Sequence, residues 1–452
     1  MSASLSRNWR QLSGQGHWRG LLNPLTNDMR TYLLHYGDLV EATYDTFIKE
    51  KVSQYAGGSM WPPTDLLSKV GLQTKNNPLM KYKVTKYLYA TSSIPVPEAF
   101  MMRSLSRESW SKESNWIGYI AVATDEGRKL LGRRDIVVAW RGTITTLEWI
   151  DDFNAGMVSA AKEYRSNLNP MVHAGFWSVY TSTDAKSAYN KTSARDQVFT
   201  EVRRLVRQYK NEHNNMSVTV CGHSLGAALS VLNSADIVAN GVAGPNVPVT
   251  AFPYACPKPG NRNFKKFAEG LKNLRVLRTT NRFDPVPMSP AIGFADVGEQ
   301  FLIDSTASPY LKNPLGFSTT HAMESYLHAI AGARGSAQAG FMSGAGNIRD
   351  ISLVNKYIDG LKNKYLIPPR WWSTANKGMV QQPNGQWKMF QRRWKDEDFL
   401  TDESISMDGE NISNDDENVS MDDKIVTKDE SIWMDDENVS NKENTSMDAE
   451  NI

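Results

Sequence analysis

One short stretch constrains this chain more than any other, an apolar run that breaks at a glycine-flanked serine and resumes in a helical pattern. Ser217-Val218-Thr219-Val220-Cys221 has the β-branched make-up of a strand covered on both faces. Gly222-His223-Ser224-Leu225-Gly226 follows without a spacer, and Ala227-Ala228-Leu229-Ser230-Val231-Leu232 continues as a helix. A G-x-S-x-G turn of this kind holds its serine on a sharp, strained bend, so that the Ser224 hydroxyl projects from the sheet edge. Gly222 and Gly226 lack the Cβ atoms that would collide with the adjoining strand and helix. The five-residue pattern alone is common; the strand before it and the helix after it make it specific.

The surrounding sequence alternates in the same way. Tyr82 to Ala90, Trp116 to Ala123 and Asp135 to Trp140 read as strands, with Asp125-Glu126-Gly127 as a turn between the second and third. Residues 195–210 carry Val198, Val202, Leu205 and Val206 on one helical face. Val247 to Phe252 and Leu274 to Arg278 supply two more strands, and a last helix is expected at about 349–363. Strands alternating with helices predict an α/β fold with a mostly parallel central sheet flanked by helices. Residues 1–60 read as helical, from Trp9 through Phe47. The expected organisation is a helical N-terminal extension at 1–80 packed on the core, a catalytic domain at 81–398, and a tail at 399–452.

The net charge of +2 averages two unlike parts. Residues 401–452 hold 17 Asp/Glu against 3 Lys, a net of −14, which leaves +16 on the first 400. The tail repeats Ser-Met-Asp at 406–408, 420–422 and 446–448 and has few large apolar side chains, so it is expected to be an acidic disordered segment. The basic body has no zinc-ligand spacing and no RNA- or DNA-binding signature, which argues against nucleic acid. A basic surface that meets anionic lipid headgroups is the alternative. No run approaches the roughly 18 apolar residues of a membrane span, and Met1 to Gln11 has no signal-peptide block. Two cysteines, Cys221 and Cys256, fit a reducing compartment, so the expected location is cytoplasmic.

A serine hydroxyl needs a histidine to take its proton and a carboxylate to orient that histidine. After an elbow of this type, the acid comes next in the chain and the histidine last. Asp284, in Arg282-Phe283-Asp284-Pro285, follows a strand end and is the first candidate acid, with Asp304 the second. Only His321 and His328 lie well after the elbow. A position ahead of the helix favours His321, and spacing leaves His328 open. Attack on a carbonyl also needs donors for the developing oxyanion. The N–H of Leu225 at the helix start is one, and the loop Arg141-Gly142-Thr143 after strand 136–140 is placed to give another.

With these parts in place, the chain resembles the class 3 lipases, α/β-hydrolases, and within them the plant phospholipase A1 group of class II. The resemblance runs from about Trp9 to Trp394 and is carried by Trp140-Arg141-Gly142-Thr143, His173-Ala174-Gly175-Phe176, the elbow, Asp284-Pro285-Val286-Pro287, and His321 to His328. It implies Ser224 as nucleophile, Asp284 and His321 as its partners, and Thr143 with Leu225 as the oxyanion hole. It implies release of the sn-1 acyl chain of glycerophospholipids at a membrane surface, with no metal or organic cofactor. A galactolipid or neutral-glyceride lipase, and a non-catalytic signalling scaffold on the same fold, are the alternatives. Residues 146–153 resemble the lid of fungal relatives. Ala322-Met323 departs from the group, where an acidic residue and a leucine usually follow the histidine.

Overall fold

The computed structural model describes residues 2–73, 77, 79–106, 114–143, 156–343, 349–372, 379–381 and 387–389. The apolar runs become strands β1 (Tyr82–Ala90), β2 (Asn115–Ala123) and β3 (Arg134–Trp140). A hairpin follows, β4 (Met157–Ser159) and β5 (Met171–His173), and then β6 (Met216–His223), β7 (Val249–Tyr254), β8 (Leu274–Asn281) and β9 (Glu299–Ile303). Far along the chain, β10 (Met379–Gln381) pairs antiparallel with β11 (Trp387–Met389). Seven strands make one sheet in the order β1-β2-β3-β6-β7-β8-β9. The β1/β2 and β2/β3 pairs are antiparallel, and the remaining pairs are parallel. In register, Trp140 stands opposite Gly222, His223 opposite Tyr254, and Tyr254 opposite Thr279. The carboxyl ends of these strands therefore share one edge, where parallel sheets place their sites.

Period-two alternation sends successive side chains to opposite faces. Ile136, Val138, Val218 and Val220 pack against α5 (Ala174–Thr181), α6 (Ala194–Gln208) and α7 (Leu225–Ala239). Val137, Ala139, Cys221, Phe252 and Leu277 face the other way and share a core with α1 (Ser2–Leu12), α2 (Asn27–Asp45) and α10 (Met323–Gly332). Each fully buried aliphatic side chain contributes about 1.5–3 kcal/mol, so the N-terminal helices are an integral layer of the core. The short α3 (Leu66–Lys69), α4 (Asp125–Leu131), α8 (Arg262–Glu269) and α9 (Phe317–His321) complete the set.

Three local expectations change. Residues 1–60 hold two helices, α1 and α2, separated and followed by turns. The 125–127 segment opens α4 instead of a turn, because Thr124 caps the Gly127 N–H and the acids Asp125 and Glu126 lie at the positive helix end. Segment 349–363 holds only a 3₁₀ turn at Ile351–Asn355 and the start of another at Asn363–Tyr365. There the Asn355 side chain accepts the N–H groups of Gly360 and Leu361, which diverts the backbone from a helical ladder. Strand β9 is an element that sequence reading missed. The tail, 399–452, lies outside the described residues.

Segment 349–372 is tied to α2 and α10 by buried ion pairs. Arg349 reaches Asp38 at 2.7 Å and Glu324 at 2.6 Å. Lys356 meets Asp45 at 2.6 Å, and the Tyr357 hydroxyl donates to the same carboxylate at 2.7 Å. Replacing Lys356 with Met leaves a buried carboxylate without its cation, and we expect a loss of about 3 kcal/mol. Urea denaturation reads this directly; a change below about 1 kcal/mol would show that the pair does not anchor the segment.

Candidate active site

Strand β6 ends at His223, and Ser224 turns the chain into α7 with φ 58° and ψ −124°. This is a left-handed conformation that a residue with a Cβ avoids unless its surroundings enforce it. The surroundings do. A Cβ on Gly222 would lie 2.1 Å from the Gly226 carbonyl oxygen, and one on Gly226 would lie 2.4 Å from that of Trp140. The Ser224 N–H donates to the Tyr254 carbonyl of β7 at 3.0 Å, which pins the bend to the neighbouring strand.

The Ser224 Oγ lies 3.0 Å from His321 Nε2, and His321 Nδ1 lies 2.8 Å from Asp284 Oδ2. A carboxylate only accepts, so the Nδ1–H donates to Asp284 and Nε2 is free to accept the serine proton. All three side chains are buried. Asp284 sits on the turn after β8, and its Oδ1 accepts the Val286 N–H at 3.0 Å. The Tyr326 hydroxyl of α10 donates to Oδ2 at 2.6 Å and accepts the Asn281 N–H at 3.0 Å. Tyr326 thus fixes the carboxylate that fixes the imidazole. Sequence reading missed it, although it lies five residues after His321 in the stretch already singled out.

His223 does more than pack. Its Nε2 lies 2.7 Å from the His321 carbonyl oxygen, which can only accept, so Nε2 carries the proton. Its Nδ1 then accepts from the Tyr44 hydroxyl at 2.7 Å. Burial, reinforced by the adjoining His321, holds the His223 pKa well below the usual imidazole value, and the ring stays neutral. Leu225 is the first residue of α7, so its N–H has no partner inside the helix. Thr143 is buried beside them, and its hydroxyl has no hydrogen-bond partner among the described residues. Both oxyanion candidates are therefore placed with donors to spare.

Thr143, His223, His321, Met323, Val354 and Ile358 help to line a cavity of about 150 Å³ that opens beside the histidine. Glu41 lines it as well; burial, with Glu324 and Asp45 nearby, pushes its carboxyl well above the ordinary range. No group of three or more His, Cys, Asp or Glu able to hold a metal occurs among the described residues.

Residues 137–294 match the family described as Lipase (class 3). Phospholipase A1-IIgamma of Arabidopsis thaliana is 47% identical over 407 residues, covering 88% of this chain and 96% of its own. The chain belongs to the plant phospholipase A1-II family. Phospholipase A1-II 1 of Oryza sativa subsp. indica is similar at 46% identity, with 85% of this chain and 96% of that one covered. Among solved structures, the nonglycosylated Yarrowia lipolytica LIP2 lipase aligns at 18% identity with a TM-score of 0.42, over 62% of this chain and 82% of that one.

Within this phospholipase A1-II member, the competing residues lie elsewhere. Asp304 pairs with Arg282 at 3.0 Å and caps the turn that follows β9. His328 bonds Ser308 at 2.7 Å and stacks on Phe341. His173 caps α5 by accepting the Phe176 N–H on Nδ1. The segment 146–153, expected as a lid, lies outside the described residues. Burial, aided by Arg349, lowers the His328 pKa to about 4. A histidine held neutral in the fold takes up a proton on unfolding, so its contribution is complete above pH about 6.5 and is lost as pH falls below that. Comparison with His328→Asn tests the sign. The wild-type advantage in urea stability is expected to shrink by about 2 kcal/mol between pH 6.5 and 5, and a pH-independent difference would refute it.

Proposed function

We propose that this chain cleaves the sn-1 acyl ester of glycerophospholipids by nucleophilic catalysis at Ser224, with His321 and Asp284 as its partners. The observation that carries the reading is the unbroken line of contacts from the Ser224 hydroxyl through His321 to Asp284, at 3.0 and 2.8 Å. The Oγ attacks the ester carbonyl as His321 Nε2 takes its proton. The carbonyl oxygen becomes an oxyanion that the Leu225 and Thr143 donors receive. Collapse breaks the bond to the glycerol oxygen, which leaves with the proton from Nε2, and the acyl group stays on Ser224. Water then attacks this ester, gives its proton to Nε2 and frees the fatty acid, and the proton returns to Oγ. Asp284 keeps the imidazole in the required tautomer and stabilises the transient imidazolium. The relatives' name, phospholipase A1, supports the substrate class and position.

Meeting this substrate means meeting a lipid surface. Phe283, Met288 and Ile292 are 57%, 67% and 91% exposed on the segment that starts beside Asp284. Three large exposed apolar side chains in the ten residues that begin next to Asp284 suit shallow insertion among acyl chains. No helix among the described residues is long and apolar enough to cross a membrane, which leaves peripheral contact as the proposed mode. Cys221 and Cys256 are both buried and unpaired, in keeping with a cytoplasmic location.

Ser224→Ala is expected to abolish release of fatty acid from phosphatidylcholine vesicles and labelling by a fluorophosphonate, with vesicle binding retained; hydrolysis at the wild-type rate would refute the assignment. The double change Met288→Asp and Ile292→Asp is expected to weaken vesicle partition roughly tenfold or more, while hydrolysis of a soluble short-chain ester stays within about twofold. Unaltered partition in a sedimentation assay would remove this segment from the lipid-contacting face.

A further inference from the structure

Arg141 follows β3 directly, and its guanidinium is buried, 1% exposed. No carboxylate pairs with it among the described residues. Its Nε donates to the Trp116 carbonyl at 3.1 Å and its Nη1 to the Gly142 carbonyl at 2.7 Å, while Nη2 has no partner among the described residues. The ring of Phe47 lies 3.9 Å from the guanidinium carbon. Burial pulls its pKa down to about 9, so the group remains charged at neutral pH. Among the described residues this buried cation is held by two carbonyl oxygens and a ring but by no carboxylate, an arrangement costly to stability. Such a charge calls for a role beyond the fold.

The bond to Gly142 indicates that role. A trans peptide is planar, with its C=O and N–H pointing in opposite directions. Clamping the Gly142 oxygen from one side therefore directs the Thr143 N–H to the other. The loop abuts the helix start and cannot move closer to it, since a Cβ on Gly226 would already lie 2.7 Å from the Arg141 carbonyl oxygen. Nor can it move toward α2, because the Tyr44 hydroxyl occupies the space where a Gly142 side chain would go. We infer that Arg141 is the positioning residue of the oxyanion hole, clamping the Gly142–Thr143 peptide so that Thr143 meets the oxyanion, with its charge one peptide away. The transition state carries the negative charge and the ground-state ester does not, so the effect falls on kcat and not on KM.

The inference rests on the acylhydrolase reading, and the test separates the two. Wild-type, Arg141→Gln and Arg141→Lys chains are compared on p-nitrophenyl butyrate, with active sites counted by fluorophosphonate titration and folding followed by Tm. Arg141→Gln removes a buried charge, so its Tm is expected to equal or exceed that of the wild type. Its kcat is expected to fall about tenfold or more with KM within about twofold. Arg141→Lys, which keeps the charge but not the two-acceptor fork, should lie between. A purely structural arginine predicts the reverse, a lower Tm with kcat per folded molecule unchanged, and that result overturns the inference. So does failure of Arg141→Gln to fold while Arg141→Lys keeps the wild-type kcat. A wild-type chain that turns over no ester sinks the acylhydrolase reading itself.

Discussion

Everything at this site depends on one bend being too tight for ordinary backbone. Ser224 occupies a left-handed conformation that costs a residue with a side chain about 1–3 kcal/mol. It persists because β6 and α7 approach so closely that only glycine fits on either side of it, and because Tyr254 accepts its N–H from the next strand. The strain has a geometric return. The Ser224 hydroxyl reaches His321 from this bend, and the next residue, Leu225, opens α7 with an N–H that the helix does not use. The proposed nucleophile and one proposed oxyanion donor thus come from a single turn, before any other element contributes.

The remaining parts are added by the helical layer of α2 and α10, which packs on one face of the sheet. Tyr44 reaches His223 from α2, and Tyr326 reaches Asp284 from α10. Each hydroxyl stands between the core and a catalytic group, one holding the backbone of His321 through His223, the other holding the acid. Low local dielectric strengthens such bonds and makes an unpaired polar group expensive, so the network admits few alternative arrangements. Buried ion pairs between α2, α10 and segment 349–372 keep the two helices in register. The N-terminal helices therefore belong to the active-site structure, since their side chains complete it.

Much of this could be read from residue order. The elbow, the alternation of strands with helices, and the acid and histidine in order after the elbow were visible because short-range chemistry dictates them. Other features failed for identifiable reasons. Asp125-Glu126-Gly127 carries turn residues, yet Thr124 supplies a cap and the acids suit a helix start. Segment 349–363 has helical spacing, but the Asn355 side chain takes backbone donors that a helix would need. Spacing could not separate His321 from His328, because both lie in one stretch that the chain splits between the end of α9 and the middle of α10.

By itself, the sequence determined where the nucleophile sits and what sort of sheet presents it, because glycine sterics and side-chain periodicity act over a few residues. Only the tertiary structure decided which histidine and which acid meet Ser224, and that Tyr44, Tyr326, His223 and Arg141 surround them. Those partners are separated from the elbow by up to 180 positions in the chain. Their meeting is the outcome of how α2 and α10 close together on one face of the sheet, a property of the packed core as a whole that no local pattern encodes.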